Sequence, residues 1–194
     1  MAFRQENCLK HPDWHNAPVP PIGSPDAQVL IAGLAPGLAG ANRTGVPFTG
    51  DGSGDALFAA LETFGFVAGQ SDGKPVLHDC AITNVVRCVP PQNRPVAAEI
   101  ANCRPYLIEE MAGMRRLRAV LCLGRISHDA VLRALGLRLR DHAFAHGAEH
   151  DVDGLRLFDS YHCSRYNMNT GRLTPAMFAA VIGRLRDYID VNRN

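Results

Sequence analysis

The sequence predicts an α/β fold: a single domain in which a mostly parallel central sheet lies between helical layers, an α/β/α sandwich. Three observations carry that expectation. Short apolar runs at residues 29–32, 82–86, 119–123 and 155–158 have the length and composition of buried strands. Helical stretches separate them, so strand and helix alternate along the chain. At 194 residues, with 46% hydrophobic and 20% charged residues, the chain has the size and composition of one soluble globular domain.

Taken in order, residues 1–27 read as an irregular N-terminal arm. Pro12, Pro18, Pro20, Pro21 and Pro25 interrupt regular helix, and Trp14 is the residue expected to anchor the arm. Residues 28–194 form the body. Its first strand, 28–34, feeds a stretch with seven glycines and two prolines in the 23 residues from Gly33 to Asp55. That is too many for a helix or a ladder. Beyond Ser53 the pattern turns helical, with Leu57, Phe58, Leu61 and Phe64 on one stripe and Gly65 closing it. In open α/β sheets ligands bind outside the carboxyl ends of the strands, where this loop must lie. Neither a P-loop nor a G-x-G-x-x-G pattern is present, so the loop is not read as a nucleotide-cofactor cradle.

Residues 69–74 read as a turn-rich connector and 78–88 as a second β-rich segment stopped by prolines at 90, 91 and 95. Pro105 is expected to split the following stretch into two helical pieces. A strand at 119–123 turns at Gly124 into a helix over 127–135. The segment 137–152 holds at most an edge strand, and 155–162 alternates into the last strand. A polar loop, 163–174, leads through Pro175 into a final helix carrying Phe178, Val181, Ile182, Leu185 and Ile189.

Net charge is +1, which does not announce a nucleic-acid binder and does not exclude an enzyme needing only a local basic rim. No run reaches the roughly 18 apolar residues of a membrane span, and residues 1–7 hold no apolar signal core. Six cysteines without a secretory signal point to reduced thiols or metal ligands rather than disulfides. Cys80 and Cys122, on apolar runs, read as core thiols.

Polar residues fall at the strand ends: Asp51 and Asp55 after the first, Asn84 within the second, His162 at the end of the last. A histidine ending a strand is more often simply hydrogen-bonded. An amide inside an apolar run needs partners or a ligand. Together they suggest a pocket that reads a planar polar ring and transfers protons.

Five motifs in order then carry a resemblance. Gly33-Leu-Ala-Pro-Gly37, Asn42-Arg-Thr-Gly45, Pro47-Phe-Thr-Gly-Asp-Gly-Ser-Gly54, Ile82-Thr-Asn-Val-Val-Arg-Cys88-Val-Pro-Pro and the run from Ser160-Tyr-His-Cys to Thr174 resemble the uracil-DNA glycosylase superfamily. The likeness is to its family-five, iron-sulfur branch and covers about residues 3–190, so that 28–194 is the glycosylase-like catalytic domain. The resemblance implies hydrolysis of the N-glycosidic bond of a deaminated base in DNA, uracil first, with hypoxanthine or xanthine as further substrates. It implies Phe48 as the aromatic on which a flipped base stacks, Asn84 as the reader of its edge, and His162 as a cationic donor to the departing base. Gly33, Ala35, Gly37, Ser164 and Arg165 fall in the substrate-binding motifs, and residues 164–171 in the segment pushed into the duplex. The family-five pattern is apolar at Leu34-Ala-Pro, so the carboxylate must come from elsewhere, and Asp51 is the candidate. Where the last motif usually reads His-Pro-Ser, this chain has Cys163, which frees a backbone torsion and adds a donor; a catalytic role for that thiol is the alternative.

The resemblance also implies a [4Fe–4S] cluster on four cysteines. Cys88 and Cys103 match one pair. The other, a C-x-x-C pair, is not found; Cys8 and His11 are substitutes by spacing, or the pair lies upstream of Met1. The expected protein is therefore a monomeric DNA-repair enzyme of the bacterial cytoplasm, acting at the nucleoid on DNA containing deaminated bases, with no membrane partner. A damage-binding protein without cleavage, or a nucleoside or nucleotide hydrolase on the same fold, is the alternative.

Overall fold

Side chains that alternate across four buried strands decide the architecture. The structure, a computed structural model, describes residues 2–71 and 74–192. Its elements are α1 (Ala2–Lys10), β1 (Ile22–Gly23), β2 (Val29–Gly33), α2 (Ala41–Thr44), α3 (Gly52–Thr63), β3 (Val67–Ser71), β4 (Lys74–Leu77), β5 (Cys80–Asn84), α4 (Ala97–Gly113), β6 (Ala119–Leu123), α5 (Arg125–Ala134), β7 (Glu149–Val152), β8 (Leu155–Ser160), α6 (Arg165–Asn169) and α7 (Pro175–Val191).

The main sheet has the order β1-β5-β2-β6-β8-β7. Its four central strands are parallel, and the edge strands β1 and β7 are antiparallel. The α/β/α sandwich is thus as expected. Val29 and Ile31 of β2 face one core with Leu57 and Leu61 of α3 and Phe178, Ile182 and Leu185 of α7. Leu30 and Ala32 face the other, with Leu107 and Met111 of α4 and Val131 of α5. Apolar residues on both faces are what a strand covered on both sides requires.

Four expectations are corrected. Residues 1–27 are not irregular throughout: α1 precedes the first of the arm's prolines, and β1 adds an edge to the sheet by pairing Ile22 with Ile82. Asn7, Asn16, Val19 and Ala27 are buried in the arm, while Trp14 is half-buried and stacks on His11. Pro105 does not split its helix, because α4 runs through it for 17 residues. The ring lies on the exposed face, where water serves the carbonyl it frees, while Leu107 and Met111 hold the buried face. The connector at 69–74 is mostly the paired strands β3 and β4; residues 72 and 73 lie outside the described residues. Finally, the loop 163–174 contains α6, capped by the Ser164 hydroxyl, which accepts from the Asn167 N–H at 3.3 Å.

β2 is the first parallel strand, β5 pairs on one side of it and β6 on the other. The chain therefore reverses direction of growth at β2, and the crevice above its carboxyl end is the topological switch point where such sheets bind ligands.

Candidate active site

The carboxyl ends of β2, β5, β6 and β8 open into one cavity of about 470 Å³. It is lined by Ala35, Gly37, Phe48, Asp51, Asn84, His162 and Ser164 among others, so seven of the predicted site residues meet there. Asn84 comes last in β5, opposite Gly33 of β2 in register. It is buried, and its amide makes no hydrogen bond among the described residues. Such an amide is available to a ligand and costly without one.

Gly33 does not line the cavity; it allows the wall to form. A Cβ there would lie 2.5 Å from both the Asn84 Oδ1 and the Phe48 ring, so only glycine lets the two converge. Phe48 itself has φ of 56°, a left-handed backbone unusual for an aromatic residue. Its carbonyl lies where a Cβ on Gly54 would overlap it, so glycine at 54 lets α3 begin directly beneath. The Phe48 ring runs nearly parallel to that of His162, with centroids 6.1 Å apart and planes 24° from parallel.

Asp51 is the N-cap of α3. Its Oδ1 accepts from the backbone N–H groups of Ser53 at 3.0 Å and Gly54 at 3.3 Å. Its Oδ2 faces the glycine loop, where a Cβ on Gly40 would come within 2.5 Å of it. Asp55, one turn along, is exposed and takes no part.

His162 follows β8. Burial pushes its imidazole below the ordinary value, and the Asp51 carboxylate pulls it only part of the way back. Burial thus opposes the cationic form expected of the donor. Its Nδ1 is buried without a partner among the described residues. The Asn167 amide donates to the His162 carbonyl at 2.8 Å, so α6 holds the histidine backbone that a proline would otherwise stiffen. Cys163 is buried with its thiol 3.4 Å from the Ser53 carbonyl, and burial pushes it up to about 12. A thiol held protonated in this way is a tie between two loops and not a nucleophile.

Arg165 stays at the rim, its guanidinium crossing the backbone at Gly52, where a Cβ would lie 2.8 Å from Nε. Residues the sequence reading did not single out complete the wall: Asn93, Leu123, Gly124, Arg125, Ile126 and Ser127. Asn93 accepts the Leu38 N–H at 3.1 Å, fastening the proline-rich connector to the glycine loop. The Ser127 hydroxyl donates to the Ala32 carbonyl at 2.6 Å and so positions α5. A turn glycine after β6 was the available signal, since every other parallel strand already ended in this crevice.

Of the predicted metal ligands, Cys88 and Cys103 lie near each other. Burial raises the Cys88 thiol, the proximity of Cys103 raises it further, and Arg4 of α1 opposes both. Cys8 is directed instead at the Asn16 carbonyl, 4.0 Å away, and His11 is stacked on Trp14. Among the described residues these four do not gather into one ligand set. A different group does: Cys122, His128 and Asp159, all buried, bring one donor atom each within 4.8 Å of one another, an arrangement able to hold a metal ion. Cys122 is the core thiol expected, and one member of this group. Among the described residues no helix is long and apolar enough to cross a membrane.

A model of the uracil DNA glycosylase superfamily matches residues 20–186. The chain is 42% identical over 186 residues to a type-5 uracil-DNA glycosylase of Thermus thermophilus, covering 93% of this chain and 82% of that protein. It is 44% identical to a type-5 uracil-DNA glycosylase of Pyrobaculum aerophilum over 86% of this chain and 74% of the other. A type-4 uracil-DNA glycosylase of the same archaeon is 38% identical over 69% of this chain and 63% of its own length.

Proposed function

The chain belongs to the uracil-DNA glycosylase superfamily, and from that premise we propose that it is a DNA-repair glycosylase that removes uracil from DNA by hydrolysing the N-glycosidic bond. The single observation that carries the reading is the convergence of an unpartnered amide, an aromatic ring, a half-buried histidine and a carboxylate on one cavity.

The reaction leaves positive charge on the sugar and negative charge on the departing base. A base must first leave the stack. In this reading it lies against Phe48 and offers its Watson–Crick edge to Asn84, whose amide both donates and accepts. His162 then donates from Nε2 to the base oxygen on which charge develops. An orphaned buried N–H is rarer than an unmet acceptor, which favours a bare Nδ1 and a proton on Nε2. A neutral imidazole suffices as a donor where burial disfavours the cation. Asp51, which lines the cavity with Oδ1 fixed by two backbone donors, stabilises the sugar cation or orients the attacking water. Residues 164–171, with Tyr166 exposed and Arg165 at the rim, form the segment that enters the duplex. Hypoxanthine and xanthine are the further bases to test. The protein acts as a monomer on genomic DNA in the bacterial cytoplasm.

The [4Fe–4S] expectation rests on Cys88 and Cys103. Two neighbouring thiols suit iron-sulfur ligation, but the described residues do not complete a four-thiolate set. No step of the reaction is derived through it.

Incubation with a uracil-containing duplex oligonucleotide followed by alkali tests the reading. Strand scission at the uracil is expected. A gel shift without scission identifies a damage-binding protein instead, and release of base from free nucleosides alone identifies a nucleoside hydrolase.

A further inference from the structure

We propose that His146 is a positioning residue for the glycosylase reaction: its Nδ1 accepts the Tyr161 N–H and so fixes the peptide from which His162 enters the cavity. The inference rests on the glycosylase reading and on the role of His162 in it.

The edge of the sheet carries the argument. β7 and β8 pair antiparallel, with His150 opposite Leu157 and Glu149 opposite Phe158. Just before β7 two residues face one: the Gly147 N–H donates to the Asp159 carbonyl at 2.8 Å, and the Asp159 N–H donates to the Ala148 carbonyl at 2.9 Å. Gly147 has φ of 79°, so this is a glycine-led β-bulge, and a turn closed by the Ala148 N–H on the Ala145 carbonyl follows directly. The ladder therefore stops at Asp159. By the two-residue period of a strand, the next N–H on that side of β8 belongs to Tyr161. There the acceptor is a side chain: the His146 imidazole, held in the turn, brings its Nδ1 to 3.2 Å from the Tyr161 nitrogen. A backbone N–H only donates, so the ring nitrogen facing it is the one that accepts.

This bond is one of four that hold the chain from Ser160 to His162. The Gly124 N–H donates to the Ser160 carbonyl at 2.8 Å. The Ser160 hydroxyl donates to the Tyr161 carbonyl at 2.9 Å, and the Asn167 amide to the His162 carbonyl at 2.8 Å. Packing adds to them. The His146 and Tyr161 rings stack with centroids 5.0 Å apart and planes 20° from parallel, and the Arg172 guanidinium lies over the Tyr161 ring at 4.7 Å. Burial and the Arg184 guanidinium of α7 push the His146 imidazole down, while a hydrogen bond to the Met177 backbone opposes them. Arg184 is itself held by Glu149, whose Oε1 accepts its Nε–H at 2.9 Å. The acceptor is thus kept free for Tyr161.

His146 is not among the residues that line the cavity, so it acts through its neighbour and not on the base. Reacting groups tolerate little displacement: a shift of about 1 Å can cost about 10²-fold in rate. His162 begins one residue beyond the bond that His146 makes.

The test is single-turnover cleavage of a uracil-containing duplex by the full chain. His146→Phe keeps a ring to stack on Tyr161 and loses the acceptor, whereas His146→Asn puts an amide oxygen close to where Nδ1 stood. The Phe variant should cleave about tenfold more slowly or worse, with its affinity for abasic product unchanged, and the Asn variant should recover most of that loss. In a His162→Asn background, where the positioned group is gone, His146→Phe should have little further effect. The imidazole ¹⁵N spectrum of the wild-type protein should show the His146 Nδ1 without a proton at neutral pH, a readout that needs no variant to fold. A protonated Nδ1, wild-type cleavage by His146→Phe, equal losses in the Phe and Asn variants, or the same loss with and without His162 would overturn the inference while wild-type cleavage upholds the glycosylase reading. Wild-type protein that does not cleave would overturn both.

Discussion

The cavity above β2 and the cluster beneath α5 use the same chemistry to opposite ends. Each joins a histidine to a carboxylate, and β8 serves both, with Asp159 in one and His162 just beyond its end facing the other. Within the cluster every polar atom of His128 and Asp159 has a partner, and the charges cancel over 2.7 Å. In the cavity, by contrast, neither Asn84 nor the buried His162 Nδ1 has a partner among the described residues. Satisfied groups rigidify a core; unsatisfied ones are held against a cost and await a ligand. Burial alone therefore does not mark a functional site. The informative feature is a buried polar group whose partner is missing.

Substitutions at four positions would break or sharpen that contrast. The largest effect is expected from Asp159→Asn. Removing one charge of a buried pair leaves the other uncompensated, at a cost of about 3–5 kcal/mol. Urea unfolding should register that loss, and a change below 1 kcal/mol would mean that the cluster is not a charged pair.

Next comes Asn84→Ala, which leaves the polar edge of a bound base unpaired and should weaken recognition of uracil-bearing DNA by about 1–3 kcal/mol. Stability should hold or rise, because an unpartnered amide is removed. Equal loss of affinity for abasic product would assign Asn84 a folding role.

For His162→Asn, single-turnover cleavage should fall tenfold or more, about 1.4 kcal/mol, with binding retained. The same variant carries a pH signature. A histidine whose folded value is depressed contributes stability that is present above its unfolded value of about 6.5 and is lost as pH falls through the folded value. The substitution should therefore flatten the decline of stability on the acid side of pH 6.5. Wild-type cleavage rates would remove His162 from the mechanism, and an unchanged acid limb would remove its depressed pKa.

The smallest effect separates the two tasks of Asp51. Alanine removes the helix cap at about 1 kcal/mol, whereas asparagine is an equally good cap. Both should lose cleavage, and only Asp51→Ala should lose stability. Full activity in Asp51→Asn would leave Asp51 as a cap and nothing more.

Local sequence determined much of this protein. Apolar runs at 29–32 and 119–123 fixed buried strands, because a segment covered on both faces has no other composition open to it. The glycines of residues 33–55 announced a loop at a strand end, and the resemblance supplied Phe48, Asn84 and His162, which do share a cavity. Pro105 was legible as a helix breaker but not as a tolerated one, since that depends on which face meets water. Only the tertiary structure decided the rest. Asp51 acquires its backbone donors from how α3 starts, and His162 its depressed pKa from the walls that enclose its ring. His128 lies in a stretch that read as helix, His142 and His150 in one that read as at most an edge strand, and Asp159 as one polar residue in an alternating strand. Their meeting follows from strand register and helix placement. Pairing across β6 and β8 sets residues 37 apart side by side, a distance over which periodicity carries no signal.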